Sequence, residues 1–141
     1  MYLLDEPYVG KKEFKYLSQA IKSGWISSHG KFVKQFEKKF ASYIGTKYAI
    51  SCASGTSALL LMWDTLDLKP GDEIIMQSLT FSADGFALKM SGAKIVFADC
   101  EPDSFSISIE DIKKKITKKT KVISPTHLYG YPAQMDELKK I

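Results

Sequence analysis

Arginine is absent from this sequence, so the net charge of +4 rests on lysine alone. Without guanidinium forks there is no bidentate donor for base edges or phosphodiesters, and no aromatic-interleaved basic stripe compensates. Nucleic acid is therefore not an expected partner. The lysines fall mostly on helical outer faces and loops, where they read as a solvated surface. Cysteine is scarce: Cys52 and Cys100 each close an apolar strand-like run and lack metal-ligand spacing, which argues against a disulfide framework or a zinc site and predicts buried thiols. No apolar run approaches the length that spans a bilayer, and residues 1 to 20 carry charges throughout, so a soluble cytoplasmic protein with no membrane partner is expected. Internal repeats and low-complexity linkers are also missing.

What is present is a chain of 141 residues, 45% hydrophobic, enough for one ordinary core. After an extended stretch from Leu3 to Val9, the residues Phe14, Leu17 and Ile21 recur at helical spacing and Gly24 follows as a cap. A second helix carries Phe32, Val33, Phe36, Phe40, Tyr43 and Ile44 on one face and closes at Gly45. Beyond it the pattern changes to short apolar runs, 48–52, 73–77, 94–98 and 121–124, separated by helical segments. That alternation predicts an α/β fold with a mainly parallel sheet. The helix opening near Thr56 is apolar nearly all round and is expected to be buried; the helix after Phe81 is more amphipathic and ends at Gly92. Pro70-Gly71-Asp72 reads as a turn into a strand, and Ser108-Ile109-Glu110-Asp111 resembles a capping box with aspartate in the last place.

Two segments carry candidate chemistry. Ser54-Gly55-Thr56-Ser57 lies where a strand run gives way to a helix, the edge of an α/β sheet that ligands favour. Free N–H groups of a first helical turn, the helix dipole and the hydroxyls of Thr56 and Ser57 suit a phosphate, and Gly55 lets it come close; an ordinary capped helix is the other reading. Phe81, just past the strand run 73–77, either stacks on a planar ring at that same edge or belongs to the core. His127, at a strand end, either reaches the site or makes a structural hydrogen bond, and stays unassigned.

Gly24-Trp25-Ile26-Ser27-Ser28-His29-Gly30, Phe36-Glu37, Ser54-Gly55-Thr56-Ser57-Ala58-Leu59, Pro70-Gly71-Asp72-Glu73-Ile74-Ile75, Thr80-Phe81, Gly92-Ala93 and His127-Leu128-Tyr129-Gly130-Tyr131-Pro132 stand in one order along the chain. In that order the chain resembles the DegT/DnrJ/EryC1/StrS sugar aminotransferases, and its Gly-Trp-Ile-Ser-Ser and His-Leu-Tyr-Gly stretches are most similar to perosamine synthases. The resemblance implies the aspartate-aminotransferase fold (fold type I), an α-β-α large domain with a smaller C-terminal domain, and a homodimer with its active sites at the subunit interface. It further implies pyridoxal 5'-phosphate (PLP) as cofactor, with Gly55, Thr56 and Ser57 at its phosphate and Phe81 against its ring. Trp25, Ser27 and Ser28 would lie near a nucleotide-sugar entrance. The implied reaction transfers an amino group from an amino-acid donor, glutamate, to a 4-keto-6-deoxy sugar nucleotide for cell-surface or lipopolysaccharide sugars.

In this family a lysine holds the cofactor as a Schiff base and an aspartate pairs with the ring nitrogen. No lysine or aspartate of this chain stands in those contexts, so no residue is assigned as catalytic. The helical period begun by Met135, Leu138 and Ile141 stops short, and residues 1–141 are read as the N-terminal part of a PLP-binding large domain, inactive by itself. A noncatalytic binding module of the same fold and a sugar dehydratase of the same superfamily are the rival readings. Two positions depart from the family pattern: Gln77, where proline is frequent, and Asp84-Gly85-Phe86, in place of a small or polar run with asparagine.

Overall fold

The computed structural model describes residues 6–141, so of the extended stretch expected from Leu3 to Val9 the first three residues lie outside it. The chain forms two compact units, 1–51 and 52–141.

The first unit is helical. Helix α1, Lys11–Lys22, begins where the Glu13 carboxylate accepts the Gly10 N–H at 2.8 Å, and it ends at Gly24, whose φ of 74° is one that glycine adopts without strain. Helix α2, Lys31–Ile44, closes at Gly45 with φ 80°, its N–H returning to the Ala41 carbonyl. The rings of Tyr16 and Phe32 meet edge to face, with centroids 5.7 Å apart, and this pair joins α1 to α2. Most of the predicted apolar faces nevertheless stay open: Phe14, Leu17, Ile21, Phe36 and Tyr43 are exposed, and Ala41 alone of the α2 residues is buried.

Among the described residues the expected strand at 48–52 takes no ladder partner. Its polar backbone is satisfied locally instead. Thr46 Oγ1 donates to the Tyr48 carbonyl at 3.0 Å, and the Ser51 N–H and hydroxyl donate to Glu37 at 3.0 and 2.8 Å. Those two bonds hold the Glu37 carboxyl below the ordinary glutamate range, the backbone bond contributing most. Unpaired, the run leaves Tyr48, Ile50 and Cys52 exposed, contrary to the burial expected of the thiol. Both cysteines are free.

The second unit runs α3 (Gly55–Thr65), β1 (Glu73–Gln77), α4 (Ser82–Met90), β2 (Lys94–Ala98), α5 (Ile109–Lys115), β3 (Thr120–Ser124) and the short α6 (Met135–Leu138). Its sheet is parallel, in the order β2-β1-β3. Central β1 is buried at every position, including the polar Glu73 and Gln77 that flank its apolar Ile74-Ile75-Met76, as for a strand covered on both faces. Ile74 and Met76 point into one layer with Trp63, Ala87 and Leu88 of α3 and α4; Ile75 points into the other with Ala98, Ile107 and Ile112 of α5.

Lys69 to Asp72 forms the turn into β1: the Asp72 N–H reaches the Lys69 carbonyl at 3.0 Å, Pro70 takes the second place and Gly71 the third with φ 100°. This is the chemistry of a type II turn. Helix α3 is less buried than its composition suggests. Trp63 faces the core, Leu59 and Leu60 are half-buried, and Leu61 and Met62 are exposed, because the sheet and α4 cover only one side of it. The capping box at α5 is half formed: Ser108 Oγ accepts the Asp111 N–H at 3.4 Å, but the Asp111 carboxylate accepts from the Asp99 N–H at 2.7 Å and from Lys115 at 2.6 Å. The Ser108 N–H, which a glutamate would have reached, goes to the Asp99 carbonyl at 2.8 Å.

Candidate cofactor site

Parallel topology puts the helix starts on one edge. Helix α3 feeds β1 through residues 66–72, and α4 leaves β1 through residues 78–81, so the N-termini of both lie at the carboxyl edge of the sheet. Ser54 is the N-cap of α3, extended at φ −155°, ψ 164°. Its Oγ accepts the Ser57 N–H at 3.2 Å and lies 3.0 Å from the Ser57 hydroxyl, and its carbonyl accepts the Ala58 N–H. The N–H groups of Gly55 and Thr56 find no acceptor among the described residues. A Cβ built on Gly55 would meet nothing within 4 Å, so the space above the helix start is open.

These features fit a phosphate. Two free N–H donors, the hydroxyls of Thr56 and Ser57 and the positive end of an eleven-residue helix converge where a glycine leaves the backbone bare. The expectation that Ser57 gives its hydroxyl to a ligand meets competition here, since Ser54 already engages it.

Phe81, N-cap of α4, is 78% exposed and packs in neither core cluster. Of the two readings offered by the sequence, the core reading is excluded and a surface available for stacking remains. Beneath it the loop is bonded throughout. Gln77, buried at the end of β1, donates from Nε2 to the Leu79 carbonyl at 2.6 Å and accepts the Thr126 N–H at Oε1 at 2.9 Å. The hydroxyls of Thr80 and Thr126 are 2.9 Å apart. Asp84, in the first turn of α4, accepts from Ser124 at 3.3 Å through Oδ2, while Oδ1 is buried and has no partner among the described residues. Burial pushes the Asp84 carboxyl above the ordinary aspartate range, the Ser124 hydroxyl opposing it.

Sequence reasoning did not assign Asp84 a role. The signal was there, however, since Asp84, Ala87 and Leu88 share helical spacing, which sets a carboxylate on the face that α4 buries. His127 Nδ1 accepts the Ala133 N–H at 3.0 Å, the structural hydrogen bond that is one of its two readings. Trp25, Ser27 and Ser28 belong to the first unit, all exposed, in the loop between α1 and α2, where the Trp25 N–H donates to Ser23 Oγ at 3.3 Å.

A separate groove of about 520 Å³ lies at the opposite ends of α3 and α4, lined by Leu60, Trp63, Leu68, Ala87 and Met90. It contains neither Gly55 nor Phe81. Among the described residues no group of three or more His, Cys, Asp or Glu side chains could hold a metal ion, and no helix is long and apolar enough to cross a membrane.

Residues 7–141 match the DegT/DnrJ/EryC1/StrS aminotransferase family over essentially the whole described chain. The chain belongs to this family. Among its relatives is the GDP-perosamine synthase of Vibrio cholerae, 39% identical over 136 residues that make up 96% of this chain and 37% of the relative. The fold agrees with that of the Escherichia coli GDP-4-keto-6-deoxy-D-mannose-3-dehydratase with bound hydrated PLP, at a TM-score of 0.91 and 34% identity over 99% of this chain and 37% of that one. A GDP-4-keto-6-deoxymannose-3-dehydratase with a trapped PLP-glutamate geminal diamine superposes at 0.92, again with 34% identity, over 99% of this chain and 38% of that one. The chain thus spans about a third of the length of the family members it matches, and shares with them the parallel α/β fold of the PLP-dependent sugar aminotransferases.

Proposed function

We propose that this chain is the N-terminal part of the PLP-binding large domain of an aminotransferase that acts on a nucleotide-linked 4-keto-6-deoxy sugar, with glutamate as the amino donor. The observation that carries the reading is the pairing, at one sheet edge, of an open helix start at Gly55 and Thr56 with the exposed ring of Phe81. A PLP phosphate needs the first and its ring needs the second. Perosamine synthase relatives support a keto-sugar nucleotide as substrate, and the similar structure with trapped glutamate supports the donor.

In this reading Gly55 and Thr56 donate backbone N–H groups to the phosphate, and Ser57 adds its hydroxyl. Phe81 covers one face of the ring and excludes water there. Trp25, Ser27 and Ser28 line the nucleotide-sugar entrance. PLP, when bound, supplies the electron sink for amino transfer. Lysine and aspartate partners come from outside these residues, and a homodimer acting in the cytoplasm, in the making of cell-surface or lipopolysaccharide sugars, completes the proposal. A dehydratase is the second reading, favoured by its appearance among the similar structures. Incubation of the intact gene product with a keto-sugar nucleotide and glutamate separates the two, one giving an amino sugar and the other a deoxy sugar.

The direct test on this chain is a PLP titration followed by absorbance, with inorganic phosphate as competitor, then borohydride reduction and mass analysis. Saturable binding that phosphate displaces, with no lysine adduct, is the expected result. Binding that is absent or indifferent to phosphate would remove the cofactor site, and an adduct on a lysine of this chain would refute its assignment as noncatalytic.

A further inference from the structure

Phe81 poses a mechanical problem. A ring that stacks on a ligand must be held in one orientation, yet its side chain is 78% exposed and packs in neither core cluster. Its position is therefore set by its backbone. That backbone is fastened to the carboxyl end of β3 at successive points: Gln77 bonds both the Leu79 carbonyl and the Thr126 N–H, and Thr80 bonds Thr126 through their hydroxyls. The Asp84 N–H donates to the Phe81 carbonyl at 3.2 Å while its carboxylate accepts from Ser124 at 3.3 Å. The bonds of Asp84 come at a cost, because Oδ1 is buried with no partner among the described residues. A carboxylate retained at such a place, on a face otherwise made of Ala87 and Leu88, is the kind of local penalty that gathers at functional sites.

We propose that Asp84 and Gln77, the two departures from the family pattern, are positioning residues that brace residues 78–81 against Ser124 and Thr126 and so present the Phe81 ring to a planar ligand. The inference rests on the cofactor reading above, with PLP as that ligand. It assigns a use to residues that make no contact with the ligand themselves. The brace acts on the ring and not on the phosphate, because neither Asp84 nor Gln77 bonds any residue of the α3 start.

Two measurements on Asp84→Ala, Ser124→Ala, the double variant and Gln77→Ala test this. Amide hydrogen exchange over residues 79–83 reads the brace without any ligand, and affinities for PLP and for inorganic phosphate read its effect on ring and phosphate separately. Loss of one such hydrogen bond is expected to speed exchange and to weaken PLP about fivefold, with phosphate affinity unchanged within about twofold. Asp84→Asn, which keeps a partner for Ser124, restores both. The double variant is expected to be no worse than either single one, as for two halves of one bond. Unchanged exchange in Asp84→Ala and Gln77→Ala would overturn the brace, and equal weakening of PLP and phosphate would reduce it to general structural damage. Faster exchange with PLP affinity intact would overturn its role in presenting the ring. Should the unsubstituted protein bind no PLP, the cofactor reading falls and the presentation of the ring with it, while the exchange rates still decide the brace.

Discussion

Ser54 Oγ lies 3.2 Å from the Ser57 N–H and 3.0 Å from the Ser57 hydroxyl, so the first turn of α3 is pinned at its cap while the N–H groups of Gly55 and Thr56 remain free. Stability and ligand binding at this turn consequently depend on different atoms. Ser54→Ala is expected to cost about 1 kcal/mol in chemical denaturation, the usual loss of an N-cap.

Gly55→Ala separates the two from the other side. No atom within 4 Å opposes the added methyl and alanine is the better helix former, so denaturation should show a fold as stable as before or slightly more so. Phosphate-competable PLP binding should nevertheless weaken, because the methyl takes the space a phosphate would fill. An unchanged affinity would remove the phosphate from this helix start.

The two faces of the sheet are expected to fail independently. Leu88→Ala empties part of the layer against α3 and α4, and Ile112→Ala part of the layer under α5; each residue is fully buried, and each change should cost about 2–5 kcal/mol. With β1 between them, the double variant should sum to within about 0.5 kcal/mol. A larger deviation would mean that the clusters communicate through the strand.

Acid should loosen the amino end of the sheet. Glu73 accepts from Thr117 Oγ1 at 2.6 Å and Lys94 Nζ at 3.2 Å, and these bonds, the Thr117 one first, hold its carboxyl below the ordinary glutamate range. A folded value below the unfolded one gives stability that is present above about pH 4.3 and lost as pH falls through the folded value. Glu73→Gln should therefore flatten the acid limb of a stability-versus-pH curve.

Asp84 carries the opposite sign. Its folded value is raised, so its contribution is most favourable in acid and declines as pH rises from the unfolded toward the folded value. Asp84→Asn should make the protein more stable at pH 7, with the difference vanishing in acid. An equal gain at both pH values would place the effect elsewhere than in this carboxyl.

Much of the second unit could be read from the sequence. Three of the four short apolar runs between helical periods form strands, and they are parallel as expected, while Pro70-Gly71-Asp72 forms the expected turn into β1. Local chemistry sufficed there because unbroken short apolar runs alternating with helical periods specify strands and crossover helices whatever the distance to the pairing partner. Elsewhere composition overreached: the run 48–52 has strand composition but takes no ladder among the described residues, and α3 has the composition of a buried helix but a covered side of only one helical face. The brace under Phe81 was illegible for a different reason. Gln77, Asp84, Ser124 and Thr126 are ordinary polar residues in sequence, and only the parallel register that sets β1 beside β3 brings them together.

That register also dictates how the sheet can assemble. Glu73 pairs with Lys94 on one side and with Thr120 on the other, and no two neighbouring strands are joined by a hairpin. Each ladder can close only after a helix has been threaded across the sheet, so zipping from a tight turn is not open to this unit and the entropy of large loops must be met before the first long-range contact forms. Folding of the second unit should accordingly be slow for its size, with β1 exposed as an unpaired apolar strand until both neighbours arrive.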